Sequence, residues 1–255
     1  MKISICIPVY GREKMLAQAI HSILTQEHED YEVILRDDDP ENPVNPSLPD
    51  SRFKYFIEPH LHGMSERANA TLRHATGEIL YLMGSDDLLW PSALYSVNHA
   101  FESETLGNAC WLYGKTVSVD SHLRYQGIDG EPTTFELLCQ MNRIGQPSVF
   151  WNRAMGEWAG PFDTRYKYAG DYDMWCRFYR LRKPIFLNQE LGIYRHHDGN
   201  MAAVMGNESV DAHNREPATI SWRHTCIGDV INRARNRYTL RKLYGGDEMP
   251  LSHDG

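Results

Sequence analysis

Residues 3–26 of the chain, ISICIPVYGREKMLAQAIHSILTQ, join a strand pattern to a helix pattern through a short turn. Apolar residues alternate over Ile3–Val9, which predicts a first β-strand. From Arg12 to Gln26 the apolar residues recur every three or four positions, which predicts an amphipathic helix. Because a strand followed directly by a helix is the repeating unit of α/β folds, this stretch indicates the fold class.

The strand-then-helix order continues through the first half of the chain. The further predicted elements are strands at 31–35, 53–57 and 78–83 and helices at 65–75 and 91–101. This alternation predicts an α/β fold with a mostly parallel central sheet flanked by helices on both faces. Ligands of such sheets bind beyond the carboxyl ends of the strands. We therefore expect the chemistry at residues 8–12, 37–39 and 84–87, which follow predicted strands.

The second half of the chain has a less regular pattern. Its predicted elements are helices at 134–141 and 171–181 and strands at 148–151 and 191–195. A basic helical extension is predicted from Ala218 to Tyr244, where six arginines and lysines accompany Asp229. Three interpretations of this helix stay open: a solvated face, contact with an anionic membrane surface, or contact with a nucleic-acid acceptor.

Composition narrows the class of protein. The 255 residues are 42% apolar and 24% charged, as in globular proteins, and the formal charge of −8 makes nucleic acid an unlikely general partner. The five cysteines are scattered and never spaced as C-x-x-C, which favours a reduced compartment. No apolar run approaches the roughly 18 residues that a membrane span needs, and no signal peptide is recognised. A cytoplasmic location is therefore predicted.

The turns exclude two ways of binding a nucleotide. The turn after the first strand, Pro8–Arg12, has one glycine and is not a G-x-G-x-x-G turn. No G-x-x-x-x-G-K-[ST] occurs in the sequence, which excludes a P-loop. A nucleotide bound to this sheet therefore needs its phosphates neutralised in another way. A divalent metal held by carboxylates is the usual solution.

Four features, in order along the chain, resemble the motifs of glycosyltransferase family 2, a family of inverting enzymes with the glycosyltransferase-A fold. They are SICIPVY (4–10) with SILTQ (22–26), VILRDD (33–38), ATGEILYLMGSDD (75–87), and GDYDMW (170–175) with YRHH (194–197). The resemblance runs from about residue 2 to residue 201. Each motif alone is weak, and their shared order and spacing give the match its strength.

The resemblance implies a site built from carboxylates. Asp87 would bind Mg²⁺ or Mn²⁺ on the diphosphate, and Asp86 would hold the ribose hydroxyls. Asp38 would accept a hydrogen bond from the ring N–H of a base, with uracil favoured. Asp171 is the candidate general base for the acceptor hydroxyl. The remaining implied contacts are Pro8, Tyr10 and Asn69 beside the nucleotide, and His197 beside the diphosphate or metal.

Each of these residues also has an interpretation in which it serves only the fold. Asp86, Asp87 and Asp171 are helix-capping candidates, and the acids at 37–39 could form a solvated turn. Because three adjacent acids repel each other, a ligand, a cation or Arg36 could compensate them. Asn69 could be an ordinary polar residue of a helix surface. Four aromatic residues could line an acceptor pocket, although core packing is the commoner role: Trp151, Trp158, Tyr166 and Tyr168.

The resemblance also implies a division of the chain and a set of partners. Residues 1–115 would bind the nucleotide-sugar, residues 116–205 would bind the acceptor and carry the base, and residues 206–255 would form the basic extension. The partners would be a nucleotide-sugar donor and a glycan or lipid-linked acceptor, with peripheral membrane contact through the extension. Two other hypotheses are a nucleotidyltransferase, disfavoured by the short first turn, and a non-catalytic nucleotide-binding or sugar-binding module.

The sequence departs from the family pattern at three positions. Asp39-Pro40 stands where the family usually has Gly-Ser, and Gly84 and Gly170 stand where many members have an acid. Because Asp86 and Asp87 are both present, we expect an active enzyme.

Overall fold

The computed structural model describes residues 1–102, 110–200 and 210–224, and within them the chain forms nine strands and seven α-helices. The strands are β1 (Ile3–Val9), β2 (Tyr31–Asp37), β3 (Phe53–Ile57), β4 (Ile79–Leu82), β5 (Leu88–Leu89), β6 (Trp111–Val119), β7 (Tyr125–Asp129), β8 (Val149–Asn152) and β9 (Ile185–Arg195). The helices are α1 (Glu13–Leu24), α2 (Met64–Leu72), α3 (Ala93–Glu102), α4 (Phe135–Gln140), α5 (Arg153–Ala159), α6 (Gly170–Leu181) and α7 (Val210–His224).

The strands form one mixed sheet in the order β3-β2-β1-β4-β8-β6-β9-β5, and β7 pairs with β6. The first four strands are parallel, as predicted. The second half is mixed, because β8 runs antiparallel to both of its neighbours while β6 and β9 are parallel to each other. Parallel pairing thus extends over the whole first half of the sheet and recurs between β6 and β9, as a mostly parallel sheet requires.

Both faces of the sheet are covered, which explains why its strands are so apolar. Alternate residues of β1 enter different clusters: Ile5 and Ile7 pack with α1 and α3, whereas Cys6 packs with α2 and α6. The second cluster contains three tryptophans, Trp111, Trp151 and Trp175, which are 0–2% exposed; the Trp175 ring centroid lies 6.1 Å from that of Trp111 and 6.0 Å from that of Trp151. The predicted layer of helices on each face is confirmed.

The register of the parallel strands brings the predicted site segments to one edge. Val9 of β1 pairs with Asp37 of β2, and Cys6 of β1 pairs with Leu82 of β4. The residues that come after these strands consequently leave the sheet on the same side.

The C-terminal prediction is only partly covered by the structure. Helix α7 ends at His224 within the described residues, so residues 225–244 of the predicted basic helix lie outside them. The boundary predicted at residue 115 falls inside β6. Among the described helices, none has the length and apolar character needed to cross a membrane.

Candidate active site

A cavity of about 660 Å³ opens at the carboxyl edge of the sheet. It is lined by five of the residues predicted from the sequence: Pro8, Tyr10, Asp86, Asp87 and Asp171. The first four lie at or beyond the ends of strands of the parallel half, and Asp171 comes from the first turn of α6. The fold therefore brings the predicted acidic pair and the predicted base into one hollow.

Asp86 is held by two side chains from distant parts of the sequence. Arg12 Nη1 lies 2.6 Å from Asp86 Oδ2, and His197 Nε2 lies 2.9 Å from the same oxygen. Arg12 reaches this position because it and Gly11 both adopt positive φ angles, 63° and 60°, in the turn after β1. Sequence reasoning placed Arg12 within a candidate site segment, residues 8–12, but gave it no role.

Asp87 is less well compensated than Asp86. Its Oδ1 accepts the backbone N–H of Arg195 at 3.2 Å, and its side chain is buried. Burial, reinforced by the neighbouring Asp86, holds the pKa of Asp87 well above its ordinary value. The carboxylate form of Asp87 is therefore short of counter-charge, which a bound cation would supply.

The backbone at Gly84 leaves room for these acids. A Cβ atom built there would stand 2.7 Å from both Asp86 Oδ1 and Asp87 Oδ2, closer than real Cβ contacts. Glycine at this position, a departure from the family pattern, thus fits the observed placement of the two carboxylates.

The donor set suits a hard divalent ion. The described residues contain no group of three metal-ligating His, Cys, Asp or Glu side chains, so a cation here would depend on one or two carboxylates together with substrate oxygens. That coordination is typical of Mg²⁺ beside phosphates. Asp87 and Asp86 fit such a cation.

His197 lies beside Asp86 and does not line the cavity. The backbone N–H of Gly199 donates to His197 Nδ1 at 3.1 Å, which leaves Nε2 to donate to Asp86. With both ring nitrogens engaged, His197 supports Asp86 and does not present a lone pair to a metal. The adjacent His196 is exposed, lines the cavity and packs edge-on against Tyr194.

Asp38, the residue predicted to contact the nucleobase, lies behind Arg67. Arg67 lines the cavity and its Nε lies 2.8 Å from Asp38 Oδ2, while its guanidinium lies 5.1 Å from the centroid of the Tyr10 ring. Asp38 is 1% exposed, and its Oδ1 has no hydrogen-bond partner among the described residues. Such an orphaned buried acceptor is costly unless a ligand donates to it.

The structure excludes the solvated turn at 37–39 and, of the three compensating groups considered there, excludes Arg36. Asp37 and Asp38 are 0% and 1% exposed, so they do not form a solvated turn. Arg36 does not compensate them, because its Nε pairs with Glu58 at 2.8 Å. The counter-charge of Asp38 is Arg67, which no sequence signal placed there because it projects from a helix 29 residues further along the chain.

Asn69 is, with Asp38, one of two predicted nucleotide contacts that do not line the cavity. Its Nδ2 donates to the carbonyl of Phe162 at 2.8 Å, and its Oδ1 accepts the N–H of Phe162 at 2.8 Å. Both ends of the amide are engaged, and Asn69 does not line the cavity. It fastens α2 to the loop before α6, so its position does not support the predicted nucleotide contact.

Asp171, the predicted general base, is a cavity residue with a raised pKa. It lines the cavity, and burial raises its pKa to about 6, although its own backbone N–H, that of Tyr172 and the Asn142 side chain oppose that rise. Asn142 Nδ2 lies 3.4 Å from Asp171 Oδ2. A carboxylate that titrates near the working pH is well suited to accept a proton. Asp171 is not the N-cap of α6, since that position belongs to Ala169.

The loop before Asp171 is fixed by helix α7. Glu216 accepts three consecutive backbone N–H groups, from Lys167 at 3.0 Å, Tyr168 at 2.9 Å and Ala169 at 3.0 Å. Asp173, fully buried in α6, lies 3.0 Å from His224 of α7. The C-terminal helix therefore holds the segment that presents the candidate base.

Replacing Glu216 with alanine is expected to lower the free energy of unfolding by about 1–3 kcal/mol, because three N–H groups lose a charged acceptor. Urea denaturation measures this loss. Glu157→Ala is the matched control, since Glu157 is an exposed acid of α5 that does not line the cavity. Equal stabilities of the two variants would contradict the role given to Glu216.

The four aromatic residues considered for an acceptor pocket lie in three different environments. Trp151 and Tyr166 are buried in the core, and Trp158 is 61% exposed. Only Tyr168 of the four lines the cavity. Core packing was thus the correct expectation for half of the set.

The architecture is that of a glycosyltransferase-A-type protein. The sequence model of glycosyl transferase family 2 matches residues 4–160, more than half of the chain. The chain belongs to this family, as the sequence motifs indicated.

Two curated relatives are named as glucosyltransferases of undecaprenol-linked sugars. One is a GalNAc(5)-diNAcBac-PP-undecaprenol beta-1,3-glucosyltransferase of Campylobacter jejuni, 24% identical over 76% of this chain and 64% of its own length. Another is the UDP-Glc:alpha-D-GlcNAc-diphosphoundecaprenol beta-1,3-glucosyltransferase WfgD of Escherichia coli, 23% identical over 68% of each chain. The chain thus spans about two thirds of the length of these relatives.

Solved structures share the fold. S. aureus TarS (residues 1–349) in complex with UDP-GlcNAc superposes with a TM-score of 0.57 at 18% identity, covering 78% of this chain and 60% of that one. The mannosyltransferase PcManGT of Pyrobaculum calidifontis, in complex with GDP-Man and Mn²⁺, gives 0.57 at 16% identity, covering 79% and 59%. At these identities the likeness concerns the fold alone.

Proposed function

We propose that the chain is an inverting glycosyltransferase that moves a sugar from a nucleotide donor, a UDP-sugar, to an acceptor hydroxyl. The observation that carries the proposal is the meeting of Asp86, Asp87 and Asp171 in one cavity, with the orphaned carboxylate oxygen of Asp38 behind its wall at Arg67. The nucleobase and the phosphates of the donor and the attacking oxygen of the acceptor would then each lie beside a carboxylate that suits their chemistry.

The residues divide the work by position. Asp38 would accept the ring N–H of uracil, and Tyr10 and Pro8 would contact the nucleoside. Asp86, fixed by Arg12 and His197, would hold the ribose hydroxyls. Asp87, with Asp86, would hold a divalent cation, which when bound offsets the charge that develops on the leaving diphosphate.

Asp171 would act on the acceptor. As the acceptor oxygen attacks the anomeric carbon, its proton passes to the Asp171 carboxylate. The new carbon–oxygen bond forms while the bond from the anomeric carbon to the diphosphate oxygen breaks, and the nucleoside diphosphate leaves with that electron pair. One base and in-line attack on the face opposite the leaving group give inversion.

The names of the relatives support a lipid-linked acceptor. Both glucosyltransferases named above act on sugars attached through a diphosphate to undecaprenol. We extend this acceptor class to the present chain. Contact of its basic C-terminal segment with an anionic membrane surface would bring the cavity to such an acceptor.

A thermal-unfolding screen tests the donor site. UDP-glucose and UDP-N-acetylglucosamine with Mn²⁺ are expected to stabilise the protein by about 2.7 kcal/mol at a hundredfold excess over Kd, through mass action. GDP-mannose is the comparison nucleotide, and each is repeated with a chelator in place of Mn²⁺. A screen in which no nucleotide-sugar gives a metal-dependent shift would refute the proposed function.

A further inference from the structure

One wall of the cavity is polar and comes from a hairpin that the donor contacts do not use. Thr116 and Ser118 of β6 line the cavity, whereas Val117 and Val119 line a groove on the opposite face of the sheet. Side chains alternate along a strand, so β6 presents its hydroxyl face to the site. Asp129 of β7 also lines the cavity and is the register partner of Thr116.

Thr116 has an unused hydroxyl. The residue is 5% exposed, and its Oγ1 has no hydrogen-bond partner among the described residues. The facing residue, Gly145, lines the same cavity, and a Cβ atom there would collide with the Thr116 hydroxyl. A buried hydroxyl costs free energy unless it is hydrogen-bonded, so this one is placed to meet a ligand group.

The arginines of the cavity are already paired with carboxylates. Arg12 and Arg67, the two arginines among its described lining residues, pair with Asp86 and Asp38. The hairpin contributes a carboxylate, Asp129, and the described lining contains no lysine. Like charges repel, so Asp129 disfavours an anionic ligand beside it.

We propose that Thr116, Ser118 and Asp129 form the subsite for a neutral sugar ring of the acceptor, an inference that rests on the proposed function. The two hydroxyls can each donate and accept, and the carboxylate can accept from neighbouring ring hydroxyls. Tyr168 also lines the cavity and contributes an aromatic surface to it. The subsite therefore selects against rings that carry a carboxylate or phosphate.

Direct binding tests the subsite without knowledge of the natural acceptor. The probes are methyl N-acetylglucosaminide and methyl glucuronide, added to the full chain saturated with UDP and Mn²⁺ and followed by saturation-transfer NMR. The neutral glycoside is expected to bind, and the glucuronide is expected to bind at least about tenfold more weakly. Thr116→Val and Asp129→Asn are each expected to weaken binding of the neutral glycoside by about tenfold or more.

Matched measurements separate this inference from the proposed function. Glu131→Gln is the control, since Glu131 is an exposed acid next to the same hairpin that does not line the cavity. Two outcomes overturn the subsite and leave the proposed function standing. In the first, UDP binds and the neutral glycoside does not. In the second, UDP binds and both glycoside probes bind equally. The subsite is likewise overturned if Thr116→Val and Asp129→Asn bind the neutral glycoside as strongly as Glu131→Gln does. Failure of UDP and Mn²⁺ to bind overturns both.

Discussion

Replacement of Asp171 with asparagine is expected to slow sugar transfer by about 10²–10⁴-fold, the usual contribution of a positioned general base. Asparagine keeps the size of the side chain and cannot take the acceptor proton. Because the base acts on the acceptor, affinity for UDP with Mn²⁺ should change little. Glu157→Gln, an exposed acid outside the cavity, is the control and should transfer sugar at the wild-type rate.

The pH profile gives an independent test of the same residue. Burial raises the pKa of Asp171 to about 6, so the carboxylate is the major form at pH 7 and is lost as the pH falls through 6. We expect kcat/KM to fall about tenfold per pH unit below that midpoint. Asn142→Ala should move the midpoint upward, because the Asn142 amide favours the charged form. An acid limb near the ordinary aspartate value of about 3.9 would contradict the assignment.

The first half of the fold could be predicted because its signals are local. Each parallel strand is a short, largely apolar run, most of them are buried, and β1 and β3 are each followed directly by a periodic helix. The predicted bounds of β1 and β3 agree with the structure. The strand-end rule also predicted the edge at which Asp86 and Asp87 lie, because parallel strands in register bring the loops after them to one edge.

The second half was harder to predict from the sequence because strand β6, which lines the cavity, has no single hydrophobic period. Strand β6 was not predicted: Trp111–Tyr113 are all buried, and alternation begins only later, where Thr116 and Ser118 face the cavity. On one of its edges the strand pairs first with β8 and then with β7. Because the burial of its side chains changes along its length, β6 lacks the single hydrophobic period on which a sequence-based assignment depends.

Side-chain partners across the site were also beyond local reasoning. Arg12 and Asp86 are 74 residues apart, and Glu216 meets a loop 47–49 residues before it. Long flexible side chains find partners only once the backbone is placed, and any of several cations could have served. The reciprocal bonds between Asn69 and Phe162 show the same limit, since a polar residue on a helix beside the site faces a loop of the second half instead.

Replacement of Asp87 with asparagine is expected to separate stability from function. In the ligand-free protein the Asp87 carboxylate is buried beside Asp86, and its raised pKa shows that the charged form is disfavoured there. Removing that charge should leave the free energy of unfolding at pH 7 equal to the wild-type value or higher. The Mn²⁺-dependent stabilisation by UDP should disappear, and transfer should slow on the order of 10³-fold, as expected when a cation worth several kcal/mol is lost.

The opposite directions of these effects make the test decisive. A variant that merely misfolds would lose stability together with activity, whereas Asp87→Asn should keep its stability and lose its activity. Asp30→Asn, at an exposed position before β2, is the control and should change neither. If Asp87→Asn retains a full Mn²⁺-dependent shift with UDP, the cation is held elsewhere. Asp87 would then be a buried acid of the fold, because a ligand can stabilise a protein only through groups that bind it.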